Sequence, residues 1–434
     1  MSIPSETFAL AESGTNVFGM SDRFLRQRMI DRLAGLQGGE LRLIDGMGDV
    51  RLGQAHEGGL RATLRVQSPE FYRCVASHGS VGAGEAYMDG LWRCDDLVAL
   101  MRLLVRNRDL LDGMEGGLAK IGGFVMRALH ALKRNTKTGS RKNISAHYDL
   151  GNGLFELFLD ENLMYSSAIF ANQQESLESA SQRKLARICE KLALKPTDHL
   201  LEIGTGWGGM ALYAASKYGC RVTTTTISKE QHALASERIA QAGLSDRVTL
   251  LLEDYRDLRG TYDKLVSIEM IEAIGHQYLD TYMSKCASLL KDDGLTVIQA
   301  ITIEDHRYRQ ALNSVDFIKR HIFPGSFIPC VSAMVDAAAQ SGRLRLLNLE
   351  DIGPSYALTL RHWRQRFFAH IDQVRALGYD ERFVRMWEFY LCYCEGGFIE
   401  RSISDVQLLF ARSGNRRDEY LPGAKFDAAL PACG

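Results

Sequence analysis

Residues 199–209, H-L-L-E-I-G-T-G-W-G-G, constrain the fold more than any other stretch. Leu200, Leu201 and Ile203 bracket Glu202 and give way at once to glycines, after which residues 210–217 carry helical spacing. The pattern reads as a buried parallel strand, a tight turn and the start of a helix, the opening of a nucleotide-binding α/β unit. Gly204 and Gly206 let the backbone approach a ligand where a Cβ would block it. Gly204, Gly206 and Gly209 also spell the G-x-G-x-x-G dinucleotide pattern. A dinucleotide site, however, expects an acid about 20 residues further on, at the end of the second strand. That strand, residues 221–227, reads R-V-T-T-T-T-I and has no carboxylate. The acid sits at Glu202, just before the glycines. S-adenosylmethionine, with a ribose and an amino-acid tail but no pyrophosphate, suits this arrangement better than NAD. A methyltransferase therefore leads a dehydrogenase.

From residue 198 a strand–helix alternation sets in, with strands predicted near 199–203, 221–227, 247–252, 263–269 and 295–303. Helices fall near 208–218, 229–242 and 277–291. This is an α/β chain with a doubly wound parallel sheet, whose ligands lie beyond the strands' carboxyl ends. Those ends supply Glu202, Thr226, Asp254 and Glu272. Further strand near 344–349 and 406–410, flanking helices around 359–396, completes the sheet.

At 434 residues the chain exceeds one ordinary core. Residues 1–112 read as a small N-terminal α+β domain with a glycine-rich stretch at 79–90 and an apolar helix near 97–105. Residues 113–142 read as an amphipathic helix and basic linker: Leu118, Ile121, Val125, Leu129 and Leu132 share one face, and Lys133, Arg134, Lys137, Arg141 and Lys142 follow. Such a segment can lie on an anionic membrane surface or pack on its own protein. Residues 143–434 form the third part, the catalytic domain. Net charge is −1, so no global field draws in nucleic acid. No apolar run approaches the ~20 residues that span a bilayer, and the first residues lack a basic-then-apolar leader, so a cytoplasmic protein is expected. Nine cysteines without a C-x-x-C pair read as reduced thiols rather than a metal site.

Several ordered segments carry a resemblance. They are H-Y-D-L-G-N at 147–152, M-Y-S-S-A at 164–168, the glycine loop with Trp207 and Gly208, T-I-S-K-E-Q at 226–231, S-I-E-M-I-E-A-I-G at 267–275 and I-F-P-G at 322–325. With G-E-A-Y-M-D-G at 84–90, the chain from about residue 76 onward resembles the cyclopropane-fatty-acyl-phospholipid synthases and the related mycolic acid cyclopropane synthases. The resemblance implies a Rossmann-like seven-stranded S-adenosylmethionine-dependent methyltransferase domain acting on the cis double bond of acyl chains in membrane phospholipid. It further implies peripheral membrane association and a homodimer through the N-terminal lipid-binding domain. Tyr165, Ser166, Gly204, Gly206, Thr226, Ile227 and Gln231 become cofactor contacts, with Asp254 and Tyr255 bracketing the adenine.

An alkene is a poor nucleophile, so it must be held close to the sulfonium methyl, away from water. Methyl transfer leaves a carbocation that aromatic faces stabilise. His147, Tyr148, Tyr165, Phe323 and Tyr390 are the candidates, though Tyr390 reads more naturally as core. In the relatives the base that then removes a proton is a bound bicarbonate. Glu272, Tyr356 and the Ile301 amide match its ligands, while Ser167 stands in place of a cysteine and Gln299 in place of a histidine. Serine and glutamine still donate hydrogen bonds to an anion. Ala273 replaces a further histidine. The departures leave two products open, a cyclopropane ring or a methylene- or methyl-branched chain, and leave a non-catalytic lipid-binding protein as a third reading.

Overall fold

The computed structural model describes residues 18–112 and 150–416. The basic helix and linker, His147 and Tyr148 lie outside the described residues. Among the described residues two compact units are present, one holding residues 18–112 together with Glu381–Phe389, the other residues 150–380 and 390–416.

In the first unit, strands β1 (Gly39–Asp45), β2 (Gly48–Gly53), β3 (Leu60–Val66) and β4 (Trp92–Cys94) form a sheet of order β2-β1-β3-β4. Helices α1 (Met20–Leu33), α2 (Glu70–Met88), α3 (Leu97–Arg106) and α4 (Arg108–Asp112) accompany it. Its alternating strands bury Leu41, Leu43, Ala62 and Leu64, as period-2 patterning requires. An aromatic core joins Phe71, Tyr87, Trp92 and Phe389, and the Tyr87 hydroxyl donates to Glu388 at 2.7 Å. The glycine-rich stretch at 79–90 is mostly helical. Gly79, at φ 57° and ψ −132°, breaks α2 into two segments that fold back on each other. A Cβ on Gly82 would lie 2.1 Å from the Cys74 carbonyl oxygen.

In the second unit, seven strands run in the order β10-β11-β9-β8-β5-β6-β7. They are β5 (His199–Ile203), β6 (Arg221–Thr225), β7 (Val248–Leu251), β8 (Tyr262–Ile268), β9 (Leu290–Ile303), β10 (Leu344–Asp351) and β11 (Ile403–Arg412). Strands β5 to β9 pair in parallel, whereas β11 runs antiparallel between β9 and β10. The helices are α5 (Asn152–Glu156), α6 (Leu177–Leu192), α7 (Gly209–Tyr218), α8 (Lys229–Gln241), α9 (Leu279–Ser288), α10 (Asp305–Leu312), α11 (Val331–Gln340), α12 (Gly353–Ala369), α13 (Ile371–Ala376) and the part of α14 (Glu381–Ile399) from Tyr390 onward, its earlier residues belonging to the first unit. Apolar layers cover both faces: Leu201, Ile203, Leu265 and Leu408 on one, Leu200, Val222, Val266 and Leu409 on the other. The chain leaves β5 toward β6 on one side, and β8 lies on the other. This is the topological switch point where such sheets bind ligands.

The crowding at Gly82 predicts that Gly82→Ala destabilises the first unit by about 1–3 kcal/mol through overpacking. Denaturant unfolding followed by a probe in that unit checks it, and an unchanged midpoint would contradict the close crossing.

Candidate active site

The turn after β5 is built by its glycines. Gly204, Gly206 and Gly208 have φ of 100°, 52° and 89°, conformations that L side chains rarely adopt. The Gly204 and Thr205 amides both donate to the Thr225 carbonyl, tying the turn to the end of β6. A Cβ added at Gly206 would meet nothing within 4 Å, so the turn presents bare backbone to open space. Gly209 serves packing instead, because a Cβ there would lie 2.5 Å from the Asn162 carbonyl oxygen. Beside this cradle the Thr226 hydroxyl donates to Gln231 at 2.8 Å, and Ile227 follows it before α8 begins. An adenosyl group fits bare backbone of this kind, with donors and acceptors at the neighbouring strand end.

Other expected contacts are turned inward. Glu202 is buried in β5, and its Oε2 accepts from the Thr224 hydroxyl at 2.6 Å. The Trp207 indole donates to Asn152 and packs on Phe155, 4.9 Å between ring centres. Asp254 accepts from Arg256 through both carboxylate oxygens, at 2.8 and 2.7 Å. Tyr255 meets Tyr282 edge-on.

An aromatic group forms on the other side of the turn. The Tyr165 ring stacks on Trp363 at 5.2 Å and lies 6.2 Å from Phe323, and its hydroxyl shares a 3.0 Å hydrogen bond with that of Tyr390. Tyr390 is buried, as a core residue would be, and also contacts Tyr165 and Phe323. Trp363, which no sequence pattern singled out, completes the cluster. Next to it, the Ser166 hydroxyl accepts from the fully buried Lys184 ammonium at 2.8 Å.

The ligand set expected for bicarbonate converges instead on the chain's own carboxylates. Glu269, the first residue past β8, receives the Ser167 amide at 2.8 Å and the Gln299 side-chain amide at 2.8 Å on Oε1. Its Oε2 receives the Tyr356 hydroxyl at 2.6 Å. Glu272 takes the Ile301 amide at 2.6 Å. The Ser167 hydroxyl points elsewhere, donating to the Ala168 carbonyl, so only its main chain serves the anion. A free anion here would add like charge beside Glu269 and compete for the Ser167, Gln299 and Tyr356 donors that Glu269 already holds, with Glu272 Oε2 the one carboxyl oxygen of the pair left without a partner. The residues present therefore do not fit bicarbonate. Glu269 has a left-handed backbone at φ 48°, which costs of order 1–3 kcal/mol in a residue with a Cβ. Three hydrogen bonds to a carboxylate, each worth about 1.5–3 kcal/mol, outweigh that strain. Glu269 belongs to the S-I-E-M-I-E motif, yet nothing in the spacing separates it from Glu272. Its backbone twist is what aims it into the site.

A seven-stranded Rossmann-like fold with a bare glycine cradle at the switch point is that of the S-adenosylmethionine-dependent methyltransferases. The family described as mycolic acid cyclopropane synthetase matches residues 135–408, and the chain belongs to it. The cyclopropane-fatty-acyl-phospholipid synthase of Escherichia coli K12 is 38% identical over 364 residues, 83% of this chain and 91% of that protein. The tuberculostearic acid methyltransferase UfaA1 of Mycobacterium tuberculosis is 37% identical over 360 residues, 79% of this chain and 81% of that one. The crystal structure of the mycolic acid cyclopropane synthase CmaA1, complexed with SAH and CTAB, superposes with a TM-score of 0.57 at 29% identity. It covers 62% of this chain and 98% of its own. The chain is thus a methyltransferase, and the dehydrogenase and the non-catalytic readings fall away.

Burial sets the electrostatics of the acids. It is the largest cause raising the Glu272 carboxyl from 4.5 to about 8, and the neighbouring Glu269 adds to it. Glu202 is likewise raised by burial to about 8, against its Thr224 hydrogen bond and Lys184. Burial lowers the Lys184 ammonium to about 8, opposed by Glu269, Asp160, Asp405 and Glu202. For Glu272 the folded state keeps a proton that the unfolded state has lost between 4.5 and about 8. Stability therefore falls as pH rises through that window. Glu272→Gln keeps an acceptor for the Ile301 amide but cannot ionise. Its melting temperature should gain on wild type as pH is raised from about 5 to about 9. Parallel melting curves across that range would contradict the assignment.

Proposed function

We propose that this chain transfers a methyl group from S-adenosylmethionine to the cis double bond of an unsaturated acyl chain in membrane phospholipid and closes a cyclopropane ring. Glu269 stands in for bicarbonate as the base. The observation that carries this reading is the convergence of Ser167, Gln299 and Tyr356 on the Glu269 carboxylate, beside the cradle of Gly204 and Gly206.

When bound, S-adenosylmethionine supplies an electrophilic methyl, and the S–CH3 bond breaks with its electron pair left on sulfur. Gly204, Gly206, Gly208, Thr226, Ile227 and Gln231 hold the adenosyl group, while Tyr165 and Ser166 border the reacting end. Tyr165, Phe323 and Tyr390 turn aromatic surface to the cation that develops on the acyl chain, worth up to ~2 kcal/mol when desolvated. Glu269 then accepts a proton from the added methyl group, and the electrons of that C–H bond close the ring. Glu272 accepts from the Ile301 amide beside Glu269. The assignments of His147 and Tyr148 to the cation site rest on the family resemblance alone.

A methylene branch is the second reading. Three donors already occupy the Glu269 oxygens, and donors slow proton removal by a carboxylate. A 1,2-hydride shift can then carry the cation to the methyl-bearing carbon before the proton leaves. Both readings place the protein at a bilayer. Among the described residues no helix is long and apolar enough to cross one; the reading takes the protein to act from the cytoplasmic face as a peripheral protein. The same reading takes the N-terminal unit as the lipid-binding and dimerising part.

Vesicles of dioleoyl phospholipid incubated with the protein and S-adenosylmethionine should gain one CH2 per modified chain, and NMR separates ring protons from an exocyclic methylene. Glu269→Gln should lower turnover by roughly 10²–10⁴-fold, the contribution of a positioned base, and leave cofactor affinity within a few-fold. Wild-type rate should not change in carbonate-free buffer. A rate that collapses on bicarbonate removal, or a Glu269→Gln variant near wild type, would overturn the assignment.

A further inference from the structure

Asp405 lies on β11 directly opposite Ile301 in the sheet register, two residues before Gln407, which faces Gln299. The side chains on this face form one hydrogen-bonded chain. Lys191, paired with the surface Glu350 at 2.7 Å, donates to the Gln407 carbonyl at 2.9 Å. Gln407 donates to the Gln299 carbonyl at 3.0 Å. Each link fixes the orientation of the next amide, so the Gln299 amino group must point inward. There it donates to two carboxyls at once, Glu269 Oε1 at 2.8 Å and Asp405 Oδ2 at 2.8 Å. The two carboxyls also lie within hydrogen-bond reach of each other.

Two carboxylates this close do not both ionise; one proton stays between them. The geometry says where it rests. Glu269 has three donors, from Ser167, Tyr356 and Gln299, and keeps some accessible surface. Asp405 is fully buried, shares only the Gln299 donor, and its Oδ1 has no partner. Ionisation therefore favours Glu269, and Asp405 is the acid that remains neutral.

We propose that Asp405 and Glu269 form a carboxyl pair sharing one proton, in which protonated Asp405 is the positioning residue that holds Glu269 ionised and aimed as the base. This rests on the methyl-transfer reading above. In the resting pair Asp405 donates its O–H to Glu269. Glu269 accepts the substrate proton on its accessible side, the pair then holds two protons, and release of one restores it. The other charged and titratable groups around Asp405 are consistent with this. Glu272, itself protonated up to about 8, raises the Asp405 carboxyl further once it ionises, Tyr356 donates to Glu269, and Lys184 supplies a positive charge from α6. Burial, followed by Glu269, pushes the Asp405 carboxyl well above its ordinary value.

The decisive experiment is infrared spectroscopy of the full chain, with and without carboxyl-13C aspartate, near neutral pH and without substrate. A protonated-carboxyl C=O band that shifts with the aspartate label and disappears in Asp405→Asn is expected. Bands of Glu202 and Glu272 do not move with that label. In the same variant an amide N–H replaces the carboxyl O–H as donor to Glu269. The acidic limb of its kcat–pH profile should therefore move up by about one unit. No aspartate-derived band in wild type, or the same band persisting in Asp405→Asn, overturns the pair. If Asp405→Asn does not fold, the wild-type label shift alone decides. Failure of the methyl-transfer reading looks different: wild type then leaves unsaturated phospholipid unmodified while the infrared band is unaffected.

Discussion

A carboxyl group set at depth among fixed donors ties the second unit together. Leaving a carboxylate buried without partners costs several kcal/mol, so the elements that satisfy Glu269 are held to one another through it. They are the end of β8, Gln299 on β9, Tyr356 on α12 and the main chain at Ser167. The same constraint explains a backbone at φ 48° in a residue with a Cβ. It also explains why the glutamine ladder behind Gln299 runs on to Lys191 and its ion pair with Glu350. Removing the charge would release the strain but leave three inward donors unsatisfied.

The glycine turn and this carboxylate are two halves of one device. The sheet places them side by side because β5 and β8 are neighbours, and the Ser267 hydroxyl donates across to the Ile203 carbonyl at 3.1 Å. In the proposed reaction the bare backbone of the cradle would hold the adenosyl group, and Tyr165, Phe323 and Tyr390 would offer aromatic surface to the reacting chain. Proton removal would then fall to Glu269, a group that cannot diffuse away. A diffusible base must be recruited each cycle, whereas a tethered one is already paid for in folding.

Much of this was legible in the residues. The strand–turn–helix at 199–209 has a two-letter alphabet of large apolar residues and glycines, and strands β5 to β9 fall within a few residues of their expected places. Strand β9 starts earlier than expected, at Leu290, because a polar edge at Lys291 to Asp293 hides its beginning. The glycine-rich stretch at 79–90 receives no secondary structure from the sequence, and it is mostly helix, broken at Gly79. The ligand set of Ser167, Glu272, Gln299, Ile301 and Tyr356 was visible through the family resemblance, and the structure does bring these residues together. What they hold was not visible. Glu269 and Glu272 share one short motif, and only the backbone conformation distinguishes their directions. Asp405 comes from a strand much later in the chain, where an acid among apolar residues gives no clue to its partner.

The most direct measurement is a crystal structure with S-adenosylhomocysteine, grown in high bicarbonate. The account predicts the adenosyl group over Gly204 and Gly206, with the Glu269 carboxylate still accepting from Ser167, Gln299 and Tyr356. A planar free anion bound to those three donors, with Glu269 swung out of the site, would contradict it.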